Sequence, residues 1–168
     1  MFSISDMSGF RIGNGFDVHA FKQGRDLIIG GVNIPFSYGL AGHSDADVLT
    51  HAIIDSILSP ANIGDIGKMF PDTDPAFKNI NSISLLEHAY KKIRQAGYKI
   101  INIDSVIICE KPKIAPYTMQ MKNNLCKAMN NDLTPDNIGI KGKTTEKLGF
   151  TGRGEGIAVY TVSLLYKE

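Results

Sequence analysis

Apolar residues recur along the chain with two periods, one typical of helices and one typical of strands. Apolar positions spaced three and four apart predict helices over residues 46–58, 84–95 and 115–129. Ser44 and Asp45 are good N-caps for the first helix, and Gly97 is a good terminator for the second. Segments rich in Ile and Val, or alternating apolar and polar residues, predict strands over 10–21, 27–35, 98–109, 137–142 and 157–166. The Gly30-Gly31 pair divides the segment 27–35 into a hairpin.

The order of these elements predicts an α+β fold. We expect a mixed four-stranded sheet with helices on one face and an N-terminal hairpin beside it. The terminal strands are strongly apolar, and the helices cover one face, so we expect a homo-oligomer that buries sheet against sheet. Residues 1–9 are expected to be a loose N-terminal extension, and residues 10–168 to form a single domain.

Composition narrows the class of function. The 168 residues carry a net charge of +1, which offers no basic field for a nucleic acid. The two cysteines suit a reducing cytoplasm, and no apolar run has transmembrane length, so we expect a soluble cytoplasmic protein without a membrane partner. Any phosphate group that the protein binds is therefore expected to be held by a few neighbouring residues and not by a broad basic surface.

Three of the four histidines lie in two short segments that are also rich in Asp. Asp17 and His19 are two apart in a predicted strand and so point to the same face. His51 lies on one helical stripe with Asp47 and Asp55. Asp17, His19 and His51 could therefore hold a tetrahedral zinc with its fourth position open. The alternative is that these histidines are ordinary hydrogen-bonded residues of the core or surface.

Two segments without helical or strand periodicity are further candidates for a functional role. Residues 63–75 are rich in Gly, Pro and Asp and are predicted to form an ordered loop, because Ile, Met and Phe are embedded in it. Residues 143–156 combine hydroxyls, Lys, Arg and Gly, which can wrap a phosphate. A solvated turn between two strands would have a similar composition.

Taken together, these segments resemble the 2-C-methyl-D-erythritol 2,4-cyclodiphosphate synthase family of the non-mevalonate isoprenoid pathway. The matching segments occur in the family's order and are 11–13, 15–21, 29–32, 43–51, 64–67, 70–75 and 144–158. The resemblance implies a homotrimer with active sites at subunit interfaces. It implies a cyclisation in which a cytidine diphosphate substrate, 4-diphosphocytidyl-2-C-methyl-D-erythritol 2-phosphate, yields a cyclic diphosphate and CMP.

The resemblance also implies roles for individual residues. Asp17, His19 and His51 would bind Zn²⁺ or another divalent transition metal, and Glu146 would bind Mg²⁺ or Mn²⁺ together with the substrate phosphates. Asp47 or Asp55 could orient a histidine ligand, which we infer from their spacing. His43 and Thr144 are the candidate transition-state stabilisers.

Further residues are implied to contact the substrate. Phosphate contacts are expected from Ser44, Lys143 and Thr145. The walls of the pocket that holds the methylerythritol hydroxyls are expected to be formed by Asp65, Ile66, Gly67, Phe70, Pro71, Asp72, Thr73 and Asp74. The cytidine pocket is expected from Cys109, Glu110, Lys111, Pro112, Lys113, Ile114 and Ala115. Phe150 and Arg153 match positions that line a central trimer cavity able to hold an isoprenoid diphosphate.

Lys143 and the 109–111 segment depart from the residues that we expect of the family.

Two other functions use overlapping residues. A metal-dependent phosphohydrolase would use the same three metal ligands to activate water. A non-catalytic isoprenoid-diphosphate binder would need Phe150 and Arg153 but neither metal site.

Overall fold

A mixed five-stranded sheet organises the part of the chain described by the computed structural model, which is residues 8–71, 73–74, 77 and 80–167. The strands are β1 (Phe10–Lys22), β2 (Leu27–Ile29), β3 (Val32–Ile34), β4 (Gly39–Leu40), β5 (Tyr98–Ile108), β6 (Ile138–Lys143) and β7 (Gly156–Lys167). The sheet order is β4-β1-β7-β5-β6, in which β5 and β6 are parallel and the other pairs are antiparallel. β2 and β3 form the predicted separate hairpin. The four long strands make the predicted mixed sheet, and the two-residue β4 adds the fifth strand.

The three longer helices pack against the strands of this sheet. The helices are α1 (Val48–Leu58), α2 (Ile66–Met69), α3 (Ser82–Gln95), α4 (Thr118–Ala128) and α5 (Gly149–Gly152), with 3₁₀ turns at Ala115–Tyr117 and Pro135–Asn137. The three longer helices confirm the predicted ones, although the third begins with a 3₁₀ turn. The short helices α2 and α5 were predicted as loops, because four residues are too few to show a helical period. Within the described residues, no helix is long and apolar enough to cross a bilayer.

Two glycines let α1 rest directly on β1. A Cβ atom at Gly15 would lie 1.9 Å from the carbonyl oxygen of Ala52, and one at Gly13 would lie 1.9 Å from that of Ser56. Both positions therefore exclude any side chain. This close approach brings α1 directly against the strand that carries Asp17.

The opposite face of the sheet is apolar and exposed. Ile12 is 76% exposed and Phe16 is 56% exposed on β1, and Tyr160 and Val162 on β7 are also exposed. An apolar patch of this kind is typical of a surface that a partner covers. The expectation that two sheets pack together in an oligomer stays a prediction, as does the single domain over residues 10–168. Residues 1–7 of the predicted extension lie outside the described residues.

The N-cap of α1 is Asp47, and not Ser44 or Asp45 as predicted. Its carboxylate is fully buried and accepts four hydrogen bonds. The N–H of Thr50 donates at 3.0 Å and its hydroxyl at 2.8 Å, while the N–H groups of Gly30 and Gly31 donate at 2.8 and 2.7 Å. Burial raises the pKa of Asp47, against the lowering effect of the backbone donors. The prediction that Asp47 orients a histidine ligand is wrong, because this carboxylate joins the β2–β3 turn to α1.

Replacing Asp47 with alanine is expected to lower the free energy of unfolding by about 3 to 5 kcal/mol, since several buried donors lose their acceptor. Urea denaturation followed by circular dichroism measures the change. Asp136→Ala is the matched control, because Asp136 is an exposed aspartate in the first turn of a 3₁₀ helix. Equal losses in the two variants would contradict the assigned role.

Candidate metal centre and substrate clefts

The predicted Asp-His-His cluster is assembled at the contact between β1 and α1. Nε2 of His19 lies 2.9 Å from Oδ2 of Asp17, and Nδ1 of His51 lies 3.1 Å from the same oxygen. The two histidine nitrogens are 3.2 Å apart. A tetrahedral zinc with bonds of about 2.0 to 2.2 Å sets its ligand atoms roughly 3.3 to 3.6 Å apart. The three side chains therefore already have nearly the spacing that one metal ion requires, and they could hold one.

The charges of this cluster are tightly coupled. Burial by itself would raise the pKa of Asp17, but hydrogen bonds with His19 and His51 hold that pKa well below its usual range. Burial would lower the pKa of His19, yet the contact with Asp17 outweighs it and raises this pKa above its usual value. Asp17 is thus ionised, as a metal ligand must be, while a proton on His19 competes with the metal.

Metal affinity is therefore expected to fall as the pH is lowered from 8 to 6. A proton occupies His19 at a higher pH than it would an unperturbed histidine, because the folded protein raises the pKa of His19. Competition between the protein and a chromophoric chelator for Zn²⁺, measured across this range, checks the prediction. An affinity that stays constant over these two pH units would contradict it.

The second ring nitrogen of His51 faces two serine hydroxyls. Nε2 lies 2.9 Å from Oγ of Ser82 and 3.2 Å from Oγ of Ser44. The sequence alone did not identify Ser82 as a site residue, since a serine at a helix start normally indicates a cap. Asp55, the other carboxylate predicted to orient a histidine, instead accepts the N–H of Ile66 at 2.8 Å and so ties α1 to α2.

A cleft of about 620 Å³ opens beside the Asp-His-His cluster. Seven predicted substrate residues line it: His43, Ser44, Ile66, Gly67, Phe70, Thr73 and Asp74. Phe77, Ile80 and Leu85 also line it and were not predicted. Asp65 caps α2 by accepting the N–H of Lys68 at 2.8 Å, and Pro71 follows that helix. The predicted contact at Asp72 lies outside the described residues.

A second cleft of about 210 Å³ gathers the predicted cytidine residues. Its lining consists of Cys109, Glu110, Pro112, Lys113, Ile114, Ala115, Gly142, Lys143 and Thr144, with Lys111 adjacent in sequence. In the described part of the chain, no residue lines both clefts. The predicted site residues thus line two separate clefts within this chain.

The turn that follows β6 brings Thr144 and Glu146 together. The hydroxyl of Thr144 donates to the carboxylate of Glu146. Oε1 of Glu110 accepts the N–H groups of Thr145 and Lys147 at 3.2 and 3.1 Å, which pins the turn to the cytidine segment. The hydroxyl of Thr145 is used within the turn, since it donates to the carbonyl of Leu148 at 2.6 Å.

Phe150 and Arg153 lie in and directly after α5, apart from the residues that line the two clefts. Phe150 is 38% exposed, and Arg153 pairs with Glu155 at 2.6 Å. The expectation that these two residues face a central cavity stays a prediction.

Comparison with known proteins gives consistent matches. The model of the YgbB family matches residues 10–166. A 2-C-methyl-D-erythritol 2,4-cyclodiphosphate synthase from Azoarcus sp. strain BH72 is 55% identical over 93% of this chain and 95% of its own length.

Solved structures give the same result. The IspF of Plasmodium falciparum in a complex with CDP is 34% identical with a TM-score of 0.83, over 95% of this chain and 97% of that one. The bifunctional IspDF of Campylobacter jejuni is 45% identical with a TM-score of 0.89, over 95% of this chain. This chain spans 42% of the length of that bifunctional protein.

Proposed function

The chain belongs to the YgbB family, and we infer that it catalyses the reaction for which its curated relatives are named, the synthesis of 2-C-methyl-D-erythritol 2,4-cyclodiphosphate. It is a phosphorus–oxygen lyase of isoprenoid precursor biosynthesis. The substrate is 4-diphosphocytidyl-2-C-methyl-D-erythritol 2-phosphate, and CMP is the second product. The observation that carries this function is the Asp17-His19-His51 cluster beside a cleft lined by the residues that the family resemblance implies.

The reaction depends on the alignment of the substrate phosphates more than on proton transfer. An oxygen of the 2-phosphate forms a bond to the β-phosphorus, and the bond from that phosphorus to the bridging α,β-oxygen breaks. The electron pair leaves with CMP. The attacking phosphate is already ionised, so a general base is not required. Holding the two phosphates in line and stabilising their charge account for most of the catalysis.

Asp17, His19 and His51 hold a divalent transition metal, with Zn²⁺ favoured by two imidazoles and one carboxylate. The spacing of their ligand atoms, 2.9 to 3.2 Å, fits such an ion. When bound, the ion supplies Lewis-acid polarisation of the β-phosphate. His43 and Ser44, which line the same cleft, donate hydrogen bonds to that phosphate.

Glu146 holds Mg²⁺ or Mn²⁺ together with the substrate phosphates. A single exposed carboxylate suits a hard cation that keeps phosphate oxygens and water as its other ligands. Thr144 donates to this carboxylate and orients it. Lys143 and Thr144, which line the cytidine cleft, contact the substrate phosphates.

The complete active site is assembled from two subunits of a homotrimer. The metal cleft of one subunit faces the cytidine cleft and Glu146 turn of its neighbour. Two observations support this arrangement: the two half-sites are separate within one chain, and the sheet face that carries Ile12 and Phe16 is apolar and exposed. A relative that binds CDP supports a cytidine diphosphate pocket. A central cavity lies on the trimer axis near Phe150 and Arg153. This cavity binds an isoprenoid diphosphate.

Phosphorus NMR of the metal-free protein, incubated with the substrate and with Zn²⁺ and Mg²⁺ added separately and together, tests this function. Equimolar CMP and cyclic diphosphate are expected when both metals are present. CMP accompanied by an open-chain phosphate would instead identify a phosphohydrolase. A trimeric, metal-loaded protein without turnover would identify a binding protein.

A further inference from the structure

We propose that Ser82 and Asp45 are positioning residues that fix His51 as a metal ligand through Nδ1. The proposal rests on the metal site assigned above and deepens it. It assigns a function to a buried hydroxyl that the substrate chemistry leaves unused. The geometry that carries it is a continuous chain of contacts from a carboxylate through a hydroxyl to the imidazole.

Ser82 lies between Asp45 and His51 and contacts both. Its Oγ donates to Oδ1 of Asp45, and its backbone N–H donates to Oδ2 of the same carboxylate at 3.1 Å. Oγ of Ser82 also lies 2.9 Å from Nε2 of His51. Both carboxylate oxygens of Asp45 thus receive a hydrogen bond from one residue.

The direction of these bonds determines which nitrogen of His51 carries a proton. An ionised carboxylate only accepts hydrogen bonds, so the single hydroxyl proton of Ser82 points to Asp45. Towards His51, Ser82 can then act only as an acceptor, and Nε2 must carry the proton. Nδ1 faces Asp17 and His19, and it would bind the metal through its lone pair once any proton shared in its hydrogen bond with Asp17 is released. The chain Asp45–Ser82–His51 thus resembles the carboxylate–histidine contacts that orient zinc ligands elsewhere, with a hydroxyl interposed.

Helix capping does not account for the hydroxyl of Ser82. Ser82 is the first residue of α3, but the side chain of the preceding Asn81 caps the helix by accepting the N–H of Ile83 at 2.8 Å. Ser82 is fully buried. A buried hydroxyl that the helix does not need is retained at a cost unless its partners use it.

The contact also joins two parts of the site. The N–H of Asp45 lies 3.4 Å from the carbonyl of Ile80, so the loop before α1 and the start of α3 are linked by backbone and side chain together. Ser44, between His43 and Asp45, accepts the N–H of Ala46 at 3.1 Å through its Oγ. Oγ of Ser44 also lies 3.4 Å from Oγ of Ser82, so Ser82 contacts both Ser44 and His51.

Zn²⁺ affinity of the metal-free protein, measured by competition with a chromophoric chelator, tests the proposal. Ser82→Ala is expected to weaken Zn²⁺ binding by about 10- to 100-fold, the usual effect of losing a partner of a ligand histidine. Ser56→Ala is the matched control, since Ser56 is an equally buried serine on α1 whose hydroxyl bonds within its own helix. The melting temperatures of both metal-free variants separate loss of affinity from loss of folding.

A double-mutant cycle distinguishes the link from two independent effects. Asp45→Asn alone is expected to weaken Zn²⁺ binding, but to add little in the Ser82→Ala background, because Asp45 acts through Ser82. Excess Zn²⁺ is expected to restore kcat of Ser82→Ala, which would not happen if the hydroxyl touched the reacting atoms.

Two outcomes would overturn the proposal. If the wild-type protein fails to bind Zn²⁺, the metal site and the positioning role both fall. If the wild type binds Zn²⁺ and Ser82→Ala binds it as tightly as Ser56→Ala does, the positioning role alone falls and the metal site stands.

Discussion

His51→Ala is expected to abolish stoichiometric Zn²⁺ binding and to lower kcat/KM by about a thousandfold or more, because Lewis-acid stabilisation is worth several kcal/mol. His51 is the candidate ligand on α1, and its Nδ1 lies within 3.2 Å of the candidate ligand atoms on β1. Its loss leaves Asp17 and His19 as two ligands on one strand, which is too few for a structured zinc site. Metal analysis after dialysis and steady-state kinetics measure the two effects.

His88→Ala is the matched control for this variant. His88 is exposed on α3, bonds to the carbonyl of Ser84 and lies outside the lining of the metal cleft. Its replacement is expected to leave Zn²⁺ binding intact. A His51→Ala protein that retains one Zn²⁺ per subunit, or near wild-type kcat/KM, would contradict the assigned ligand.

The second large effect is expected from two charges on the exposed sheet face. In Ile12→Asp/Phe16→Asp, two carboxylates replace apolar side chains that are 76% and 56% exposed in the single chain. Burying them in the proposed trimer would desolvate like charges from three subunits near one axis. The trimer is expected to dissociate, and turnover to disappear with it, because each proposed active site needs residues of two subunits.

Sedimentation velocity and turnover measurements on the same samples check this result. Met119→Asp is the control, since Met119 is also a 59% exposed apolar residue but lies on α4 and not on the sheet. The account would be contradicted by a double variant that remains trimeric. It would also be contradicted by a monomer that turns over at the wild-type rate.

The metal cluster could be predicted from the sequence because each of its parts has a local signal. Asp17 and His19 share a face by strand alternation, and His51 lies in the first turn of a helix whose apolar residues recur at helical spacing. The glycines at 13 and 15 then determine how closely helix and strand approach. These signals depend on a few neighbouring residues, so periodicity could reveal them.

Other features depend on contacts between segments that are distant in sequence. Helical spacing placed Asp47 on the stripe of His51, but as an N-cap its carboxylate turns towards Gly30 and Gly31. Ser82 reaches His51 because α3 packs against α1, 31 positions away in sequence. Periodicity describes one element at a time, and so it could not predict these partners.

Mixing two inactive variants tests the central claim, an active site shared between subunits, most directly. His51→Ala disables the metal cleft, and Glu146→Gln disables the opposite half-site, so each homotrimer alone is expected to be inactive. Equimolar subunits, dissociated and reassembled at random, would pair an intact metal cleft with an intact neighbouring Glu146 in about a quarter of the sites. The account predicts recovery of about a quarter of wild-type turnover in such mixtures. Mixed trimers that show no more turnover than the separate variants would contradict it.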